Sequence, residues 1–233
     1  MELIIDIETV SGQKNISDLK DALQEHWERK ANFLKLEPAE IDNPNLSYFN
    51  RAGIYAEFGK IICIGIGFVN REQKQVRIKS YANDNEAQLL ADFLELIHKL
   101  EKEHKTNVIF CGHNIKEFDL PYICRRLMVN GFALPESLNL SGLKPWQINH
   151  QDTLELWRFG DYKHYTSLDL LAQVLDVPSS KTDINGSEVN TVYWNDNDLN
   201  RIAAYCSKDI FTTALVYLRL KQQNVADYEA VYV

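Results

Sequence analysis

Two acidic residues, Asp6 and Glu8, lie inside the first apolar stretch of the chain. The stretch from Leu3 to Thr9 has the composition of a β-strand, in which successive side chains point to opposite faces. The two carboxylates therefore share one face, roughly 6.5–7 Å apart along the strand. Adjacent carboxylates repel each other and lose hydration, and a hard cation such as Mg²⁺ or Mn²⁺ relieves both costs. The competing interpretation is an edge strand whose acids lie in water.

A third acid, Asp119, lies where a helix is expected to begin. Pro121 is tolerated in a first helical turn, and Asn130-Gly131 has the chemistry of a helix C-terminus. Aspartate is also a favoured helix N-cap, which by itself explains the residue without any function. A capping carboxylate keeps further lone pairs, so capping does not exclude metal binding.

The last long helix, predicted from about Asp198 to Gln222, carries a tyrosine and an aspartate four residues apart. Tyr205 and Asp209 share one helix face and meet beside the apolar stripe. Asp209 either completes a carboxylate cluster or only hydrogen-bonds to a neighbouring group. Asp152 is a spare acid, for which a structural role or a role in supporting metal ligands is favoured over direct metal binding.

Length and composition indicate one globular domain over residues 1–233, with a helical insertion at about 11–58. The net charge of −8 disfavours broad, non-specific nucleic-acid binding, because phosphate contacts need Lys and Arg. A local site remains compatible with it, because a bound divalent ion attracts phosphate. No apolar run reaches membrane-spanning length and no basic leader precedes Asp6. We therefore expect a cytoplasmic protein with no membrane partner.

The four cysteines occur singly, without C-x-x-C spacing or a histidine pair, which indicates reduced core residues rather than a zinc site.

The insertion carries helix-like spacings from Ile16 to Leu36, ended by the turn at Asp42 to Asn45. This helix either forms a lid or wall over a substrate or packs over a sheet edge. Lys181, in an exposed turn, is either a phosphate contact or a solvated lysine. Further strands are predicted at Lys60 to Phe68, Val76 to Tyr81, Asn107 to Cys111 and Gln147 to Thr153, and further helices from Asn85 to about Glu103 and from Ser167 to Leu175.

Taken together, Asp6-x-Glu8, Asn114-x-x-x-Phe118-Asp119 and Tyr205-x-x-x-Asp209 resemble the three motifs of the DEDD superfamily of exonucleases. The tyrosine four residues before the last aspartate resembles the tyrosine-bearing (DEDDy) branch. The first two motifs are more similar to the proofreading domain of family B DNA polymerases than to ribonuclease D. The segments around Phe58 to Ile64 and Lys181 to Val189 resemble stand-alone bacterial polymerase-B-like 3′-5′ exonucleases.

This resemblance implies an α/β protein with an RNase H-like fold, in which helices flank a central mixed β-sheet. It implies hydrolysis of phosphodiester bonds at the 3′ end of single-stranded nucleic acid, DNA favoured over RNA, with release of nucleoside 5′-monophosphates. The DNA preference comes from the resemblance alone, because no residue is recognisable as a reader of the 2′-hydroxyl. No polymerase portion follows in the sequence, so replication or repair proteins, not identified here, are expected as separate partners.

The resemblance also implies residue roles around two divalent ions, Mg²⁺ or Mn²⁺, about 3.5–4 Å apart. Asp6, Glu8 and Asp209 would hold the ion that activates water, and Asp6 would bridge to a second ion reached by Asp119. Tyr205 would orient the water, since an ordinary tyrosine pKa near 10 does not suit a base at neutral pH. The expected substrate contacts are Thr9, Asn114 through its amide and Phe118 through stacking; for Phe118 a simple core role competes.

Two other functions fit the same sequence. The chain could be a catalytically silent nucleic-acid-binding module, against which the complete set of acids argues. It could also be a hydrolase of very short oligonucleotides or of RNA, which suits the acidic composition.

Overall fold

The computed structural model describes residues 1–180 and 183–233, so Lys181 lies outside the described residues. In the described part of the chain, six strands form one sheet in the order β5-β4-β1-β2-β3-β6. The central strand β1 pairs antiparallel with β2 and parallel with β4, so the sheet is mixed. The strands are β1 (Glu2–Ser11), β2 (Gly59–Asn70), β3 (Gln75–Ala82), β4 (Ile109–Gly112), β5 (Gln151–Asp152) and β6 (Glu229–Tyr232).

Helices connect and cover these strands. The α-helices are α1 (Asp21–Ala31), α2 (Pro38–Ile41), α3 (Pro44–Arg51), α4 (Glu86–His104), α5 (Asp119–Val129), α6 (Thr153–Arg158), α7 (Leu168–Val174), α8 (Val189–Thr191) and α9 (Leu199–Leu220). Short 3₁₀ turns span Ile16–Asp18, Ala52–Ile54, Glu136–Leu138 and Pro145–Gln147, and a π-helical turn spans Val192–Asp196.

Strand β1 divides the core into two layers through its alternation. Leu3, Ile5 and Ile7 pack with α4 and α5 in the largest hydrophobic cluster. Ile4 faces the other way and packs against α9. Because Asp6 shares the parity of Ile4, the acids of β1 face α9. Asp6 and Glu8 share one face of β1, as predicted, and that face is covered by the last helix, α9.

A buried ion pair fixes α5 relative to the sheet. The Arg126 guanidinium donates to both carboxylate oxygens of Glu86 and to the backbone carbonyl of Ala56. Glu86 in turn accepts from the backbone N–H of Ile61 in β2 at 2.7 Å. A buried pair with this many hydrogen bonds avoids the cost of isolated buried charges. It therefore ties α4, the last turn of α5 and β2 together.

The insertion is not the single long helix that its spacings predict. Its main helix is limited to Asp21–Ala31, and Pro44, expected in a breaking turn, begins α3. The Asn43 side chain accepts from Leu46 N–H, so Asn-Pro is a helix start here. The buried Trp27 ring packs in a small hydrophobic cluster within and beside the insertion, which is separate from the main core. The insertion therefore packs at the ends of the central strands β1 and β2, and not over an edge strand.

The remaining differences are short elements. The edge strand β6 and the helix α6 were not expected, and the strand predicted at Gln147 to Thr153 is limited to Gln151–Asp152. Strand β6 is half-exposed at the sheet edge, so its alternation carries little signal. Among the described residues, every helix is too short or too polar to cross a lipid bilayer.

Close contact between α9 and β2 depends on Gly65. A methyl group at this position would lie 2.7 Å from Cys206 Sγ and 2.8 Å from Ile210 Cγ1, both on α9. We expect Gly65→Ala to lower the free energy of unfolding by about 1–3 kcal/mol, because α9 must move off the sheet. Urea unfolding followed by circular dichroism measures this change.

The matched control is Gly186→Ala, since a methyl group there meets nothing within 4 Å. Equal unfolding midpoints for Gly65→Ala and Gly186→Ala would contradict the tight packing of α9 on β2.

Candidate active site

The two acids of β1 lie at an irregularity of the strand. The β1–β2 register shifts between Glu8 and Thr9, which is a β-bulge. Glu8 is buried, whereas Asp6 keeps intermediate exposure. Solvent therefore reaches the pair at Asp6.

Asp119 reaches β1 from the start of α5, but it does not cap its helix. The N-cap is Phe118, without a side-chain cap, and Asp119 is the first helical residue. The β1–β4 ladder stops at Ile4 and Cys111, so the backbone N–H of Ile7 lies beyond it. That N–H donates to Asp119 Oδ1 at 3.0 Å. The capping interpretation is therefore wrong, and the buried Asp119 carboxylate lies directly beside the acids of β1.

Helix α9 contributes the remaining predicted residues. The Tyr205 phenol and the Asp209 carboxylate lie one helical turn apart on α9, and both residues are buried. Between them, the Cys206 thiol lies 3.5 Å from Asp6 Oδ2. Oxygen and sulfur atoms of Asp6, Glu8 and Cys206 all lie within 4.8 Å of one another. Helix α9 thus closes the site over β1.

The four acids act on one another electrostatically. Burial raises the pKa of Asp6 well above its usual range, and the charges of Asp209 and Asp119 raise it further. Burial also raises the pKa of Glu8 well above its usual range, and the charges of Asp6 and Asp209 raise it further. Burial raises the pKa of Asp119 to about 7. These mutual effects indicate that β1, α5 and α9 carry the four carboxylates to the same region, although the group whose ligand atoms all lie within 4.8 Å of one another contains Asp6, Glu8 and Cys206 and not Asp119 or Asp209.

Three of the acids have no basic partner among the residues that the structure describes. Within residues 1–180 and 183–233, no lysine or arginine forms an ion pair with Asp6, Glu8 or Asp119. Several buried carboxylates without a counter-charge are costly, and their oxygens are the donors that Mg²⁺ and Mn²⁺ prefer. The donor set therefore fits divalent cations.

Asp152 supports the site and lies outside the acid cluster. Its carboxylate accepts from the backbone N–H groups of Asn114, Lys116 and Leu154 at 2.9, 3.1 and 2.9 Å. Asn114 adopts a left-handed conformation, φ 63°, and these bonds hold the segment in place. The half-buried Asn114 amide makes no hydrogen bond to another described residue and stays open to a ligand.

The other predicted substrate contacts are less open. Thr9 lies on the α5 side of β1 near the Tyr122 phenol, which donates to the Gly53 carbonyl at 2.9 Å. The half-buried Phe118 ring packs against the main core, 5.5 Å from the Tyr122 ring. The core interpretation of Phe118 accounts for this packing, and the substrate roles of Thr9 and Phe118 stay predictions.

Sequence reasoning missed two neighbours of the cluster. Cys206 is one of the four cysteines that the sequence predicts as core residues, yet its thiol contacts Asp6. Tyr165 received no role, yet its phenol pKa is raised by burial and then by Asp119, Asp152, Asp6 and Asp209. Its ring packs edge-on against His113, 6.0 Å away. The sequence contains one signal near this contact: His113, against which Tyr165 packs, directly precedes the motif residue Asn114.

The fold and site define a class of protein: an α/β protein with a mixed sheet flanked by helices, an RNase H-like fold, and carboxylates gathered on its central strand. This confirms the predicted fold class. The chain belongs to the family of predicted 3′-5′ exonucleases related to the exonuclease domain of PolB, whose model matches residues 54–229. The matched range contains Asp119, Tyr205 and Asp209, and the structure adds β1 with Asp6 and Glu8.

A solved structure shows the same fold. The chain is similar to the family B DNA polymerase from the hyperthermophilic archaeon Pyrobaculum calidifontis, with a TM-score of 0.55 and 16% sequence identity. The similarity covers 94% of this chain and 24% of the polymerase, so the chain spans about a quarter of that protein. No curated protein sequence matches the chain.

The raised carboxylate pKa values predict an unusual dependence of stability on pH. An acid whose pKa is higher in the folded state stabilises the fold below its unfolded pKa near 4, and the contribution disappears as pH rises through the folded value, about 7 for Asp119. In EDTA, we expect the free energy of unfolding to fall by about 2–4 kcal/mol from this group between mildly acidic and mildly basic pH. Urea unfolding at a series of pH values measures it.

Asp119→Asn keeps an acceptor for Ile7 N–H and removes the titrating group, so its stability should change less with pH. Asp21→Asn, at an exposed position of α1, is the matched control and should follow the wild type. The explanation fails if all three proteins show the same pH profile.

Proposed function

We propose that this protein is a divalent-metal-dependent 3′-5′ exonuclease, which trims single-stranded nucleic acid, DNA in preference to RNA, and releases nucleoside 5′-monophosphates. The observation that carries the proposal is the electrostatic interaction of Asp6, Glu8, Asp119 and Asp209, which come from three elements of the fold. Membership of the PolB-related family and the DEDD-like motifs point to the same reaction.

The acids would hold two divalent ions, Mg²⁺ or Mn²⁺. Asp6, Glu8 and Asp209 lie on the facing sides of β1 and α9, and Asp119 joins Asp6 from α5. When bound, such ions lower the pKa of water and stabilise the charge that develops on the attacking and leaving oxygens. Their binding also keeps the carboxylates ionised at neutral pH, against the upward pKa shift caused by burial.

Tyr205 would orient the attacking water. Burial and then the charges of Asp209 and Glu8 raise its pKa far above the usual value, so the phenol stays protonated at neutral pH. A protonated phenol can donate one hydrogen bond and accept another, but it cannot serve as a base. Its place one helical turn before Asp209 puts the ring beside the acids, and from there the phenol would align a water.

The terminal nucleotide would be held beside the acids by the Asn114 segment. The Asn114 amide is open to a polar contact, and Asp152 fixes its backbone. Thr9 and Phe118 complete the proposed contacts with the terminal nucleotide. The reaction is hydrolysis: water forms a new P–O bond, and the bond from phosphorus to the 3′ oxygen of the preceding nucleotide breaks, with a proton passing to that oxygen.

Substitution of the cluster should separate catalysis from folding. We expect Asp6→Asn and Asp209→Asn to abolish trimming, since each removes a charge required for metal binding. Tyr205→Phe should lower kcat by roughly a hundredfold, because misplaced reactants cost about that much. Initial rates on an end-labelled oligonucleotide measure the effects, and circular dichroism checks that each variant folds.

Asp183→Asn is a matched control, since its carboxylate pairs with Arg201 outside the cluster and should leave the rate unchanged. Undiminished cleavage by both Asp6→Asn and Asp209→Asn would remove the exonuclease assignment.

Metal removal and labelling test the polarity and the cofactor together. We expect shortening of 5′-labelled DNA one nucleotide at a time and immediate release of labelled mononucleotide from 3′-labelled DNA. EDTA should stop both, and added Mn²⁺ should restore both. RNA of the same sequence should be trimmed more slowly. Electrophoresis of the products measures these outcomes.

The same assay separates the alternatives. A silent binding module would retard the oligonucleotide on a native gel without shortening it. A hydrolase of very short oligonucleotides would cleave a dinucleotide and spare the long strand.

A further inference from the structure

We propose that Trp146, Tyr162 and Tyr165 form a surface that binds unpaired bases of the strand whose 3′ end enters the acidic site. We call these three residues the aromatic track. The inference rests on the proposed function, because the occupant is the substrate strand upstream of the terminal nucleotide. The three side chains are 76%, 74% and 61% exposed, so their rings are available to a ligand.

Tyr165 marks the end of the track next to the acids. Its ring packs edge-on against His113, which is fixed by Thr153 Oγ1 and the Thr166 carbonyl, each 2.9 Å from a ring nitrogen. Asn114 follows His113 directly. The charges of Asp119 and Asp6 act on the Tyr165 phenol, which places it at the rim of the site. A base stacked on Tyr165 would therefore lie close to the scissile phosphate.

Trp146 and Tyr162 continue the track away from the acids. Both line one depression of about 640 Å³, together with Lys116 and Asp152. Asp152 is the residue that accepts from the backbone of Asn114 and Lys116. The depression and the proposed nucleotide-binding segment thus share one structural support, and Lys116, which lines the depression, lies two residues after Asn114.

The chemistry of the track suits stacking more than phosphate binding. Lys144 Nζ lies 5.1 Å from the Trp146 ring centre, and the Arg158 guanidinium lies 5.4 Å from that of Tyr162. Two nearby cations are already paired: Lys116 with Glu155 at 2.8 Å, and Arg158 with Glu117 at 3.5 Å. Rings beside cations bind single strands by stacking on successive bases.

This arrangement selects the occupant. Stacking requires bases that are not already paired, so a single strand fits and a duplex does not. Because Lys116 and Arg158 are already paired, binding should depend less on salt than binding through phosphate contacts would. Stacking thus reconciles nucleic-acid binding with the net charge of −8.

Binding is tested on the full chain in EDTA, so that hydrolysis does not intervene. The probes are 5′-fluorescein oligothymidylates of about 4 and about 12 nucleotides, and a strand of the longer length whose upstream sugars lack bases. Fluorescence anisotropy measures Kd. Tyr232→Ala is the matched control, because Tyr232 is 62% exposed on β6, at the sheet edge opposite β5.

We expect Trp146→Ala and Tyr162→Ala each to weaken binding of the longer oligonucleotide by roughly fivefold to a hundredfold and to leave the short one unchanged. Tyr165→Ala should weaken both, and the strand without upstream bases should bind the wild type as weakly as the Trp146 and Tyr162 variants bind the intact strand. The proposal is overturned if the wild type does not bind the oligonucleotides, or if the three variants bind the longer one like Tyr232→Ala.

A separate readout distinguishes this proposal from the proposed function. The p-nitrophenyl ester of thymidine 5′-monophosphate reports phosphodiester hydrolysis in Mn²⁺ without an upstream strand. Trp146→Ala and Tyr162→Ala should hydrolyse it at the wild-type rate, and Asp209→Asn should not hydrolyse it. No wild-type hydrolysis of this ester or of any oligonucleotide defeats the exonuclease proposal, whereas unchanged binding by the track variants defeats the aromatic track alone.

Discussion

Mutual repulsion of buried carboxylates is the constraint on which the rest of this structure depends. Asp6, Glu8, Asp119 and Asp209 come from the central strand and two helices, and burial together with their charges raises the pKa of the first three. No isolated strand or helix would hold these groups together. Packing of the surrounding fold must offset the free-energy cost of burying these acids close together. A bound cation would remove that cost by neutralising their charge.

The fold meets this demand through specific contacts on both faces of β1. On one face, the Arg126–Glu86 pair joins α4, α5 and β2, and Ile7 N–H donates to Asp119. On the other face, α9 packs closely on β2, as the small side chain of Gly65 permits. The acids thus lie where two independently packed layers meet, so their separation is set by the core and not by their own interactions.

The acidic site and the aromatic track are suited to different parts of a nucleic-acid strand. Carboxylates can attract phosphate only through a cation, so the acidic centre is suited to the reacting group. Bases have aromatic faces, and the exposed rings of Trp146, Tyr162 and Tyr165 offer surfaces for them without added positive charge. An acidic protein can in this way act on a polyanion, because affinity and catalysis draw on different interactions.

The sequence by itself determined the residue types, the alternation that places Asp6 and Glu8 on one face, and the one-turn spacing of Tyr205 and Asp209, because each depends on a local repeat of the backbone. The family resemblance of its motifs implied the α/β class, with which the predicted order of strands and helices is compatible. Only the tertiary structure decided that Asp119 bonds to Ile7, 112 residues away, instead of capping its helix. The same holds for Cys206 beside Asp6, Tyr165 at the rim, and the edge strand β6. These contacts join distant segments, and no local periodicity specifies which distant partner will fill a free hydrogen bond or an open surface.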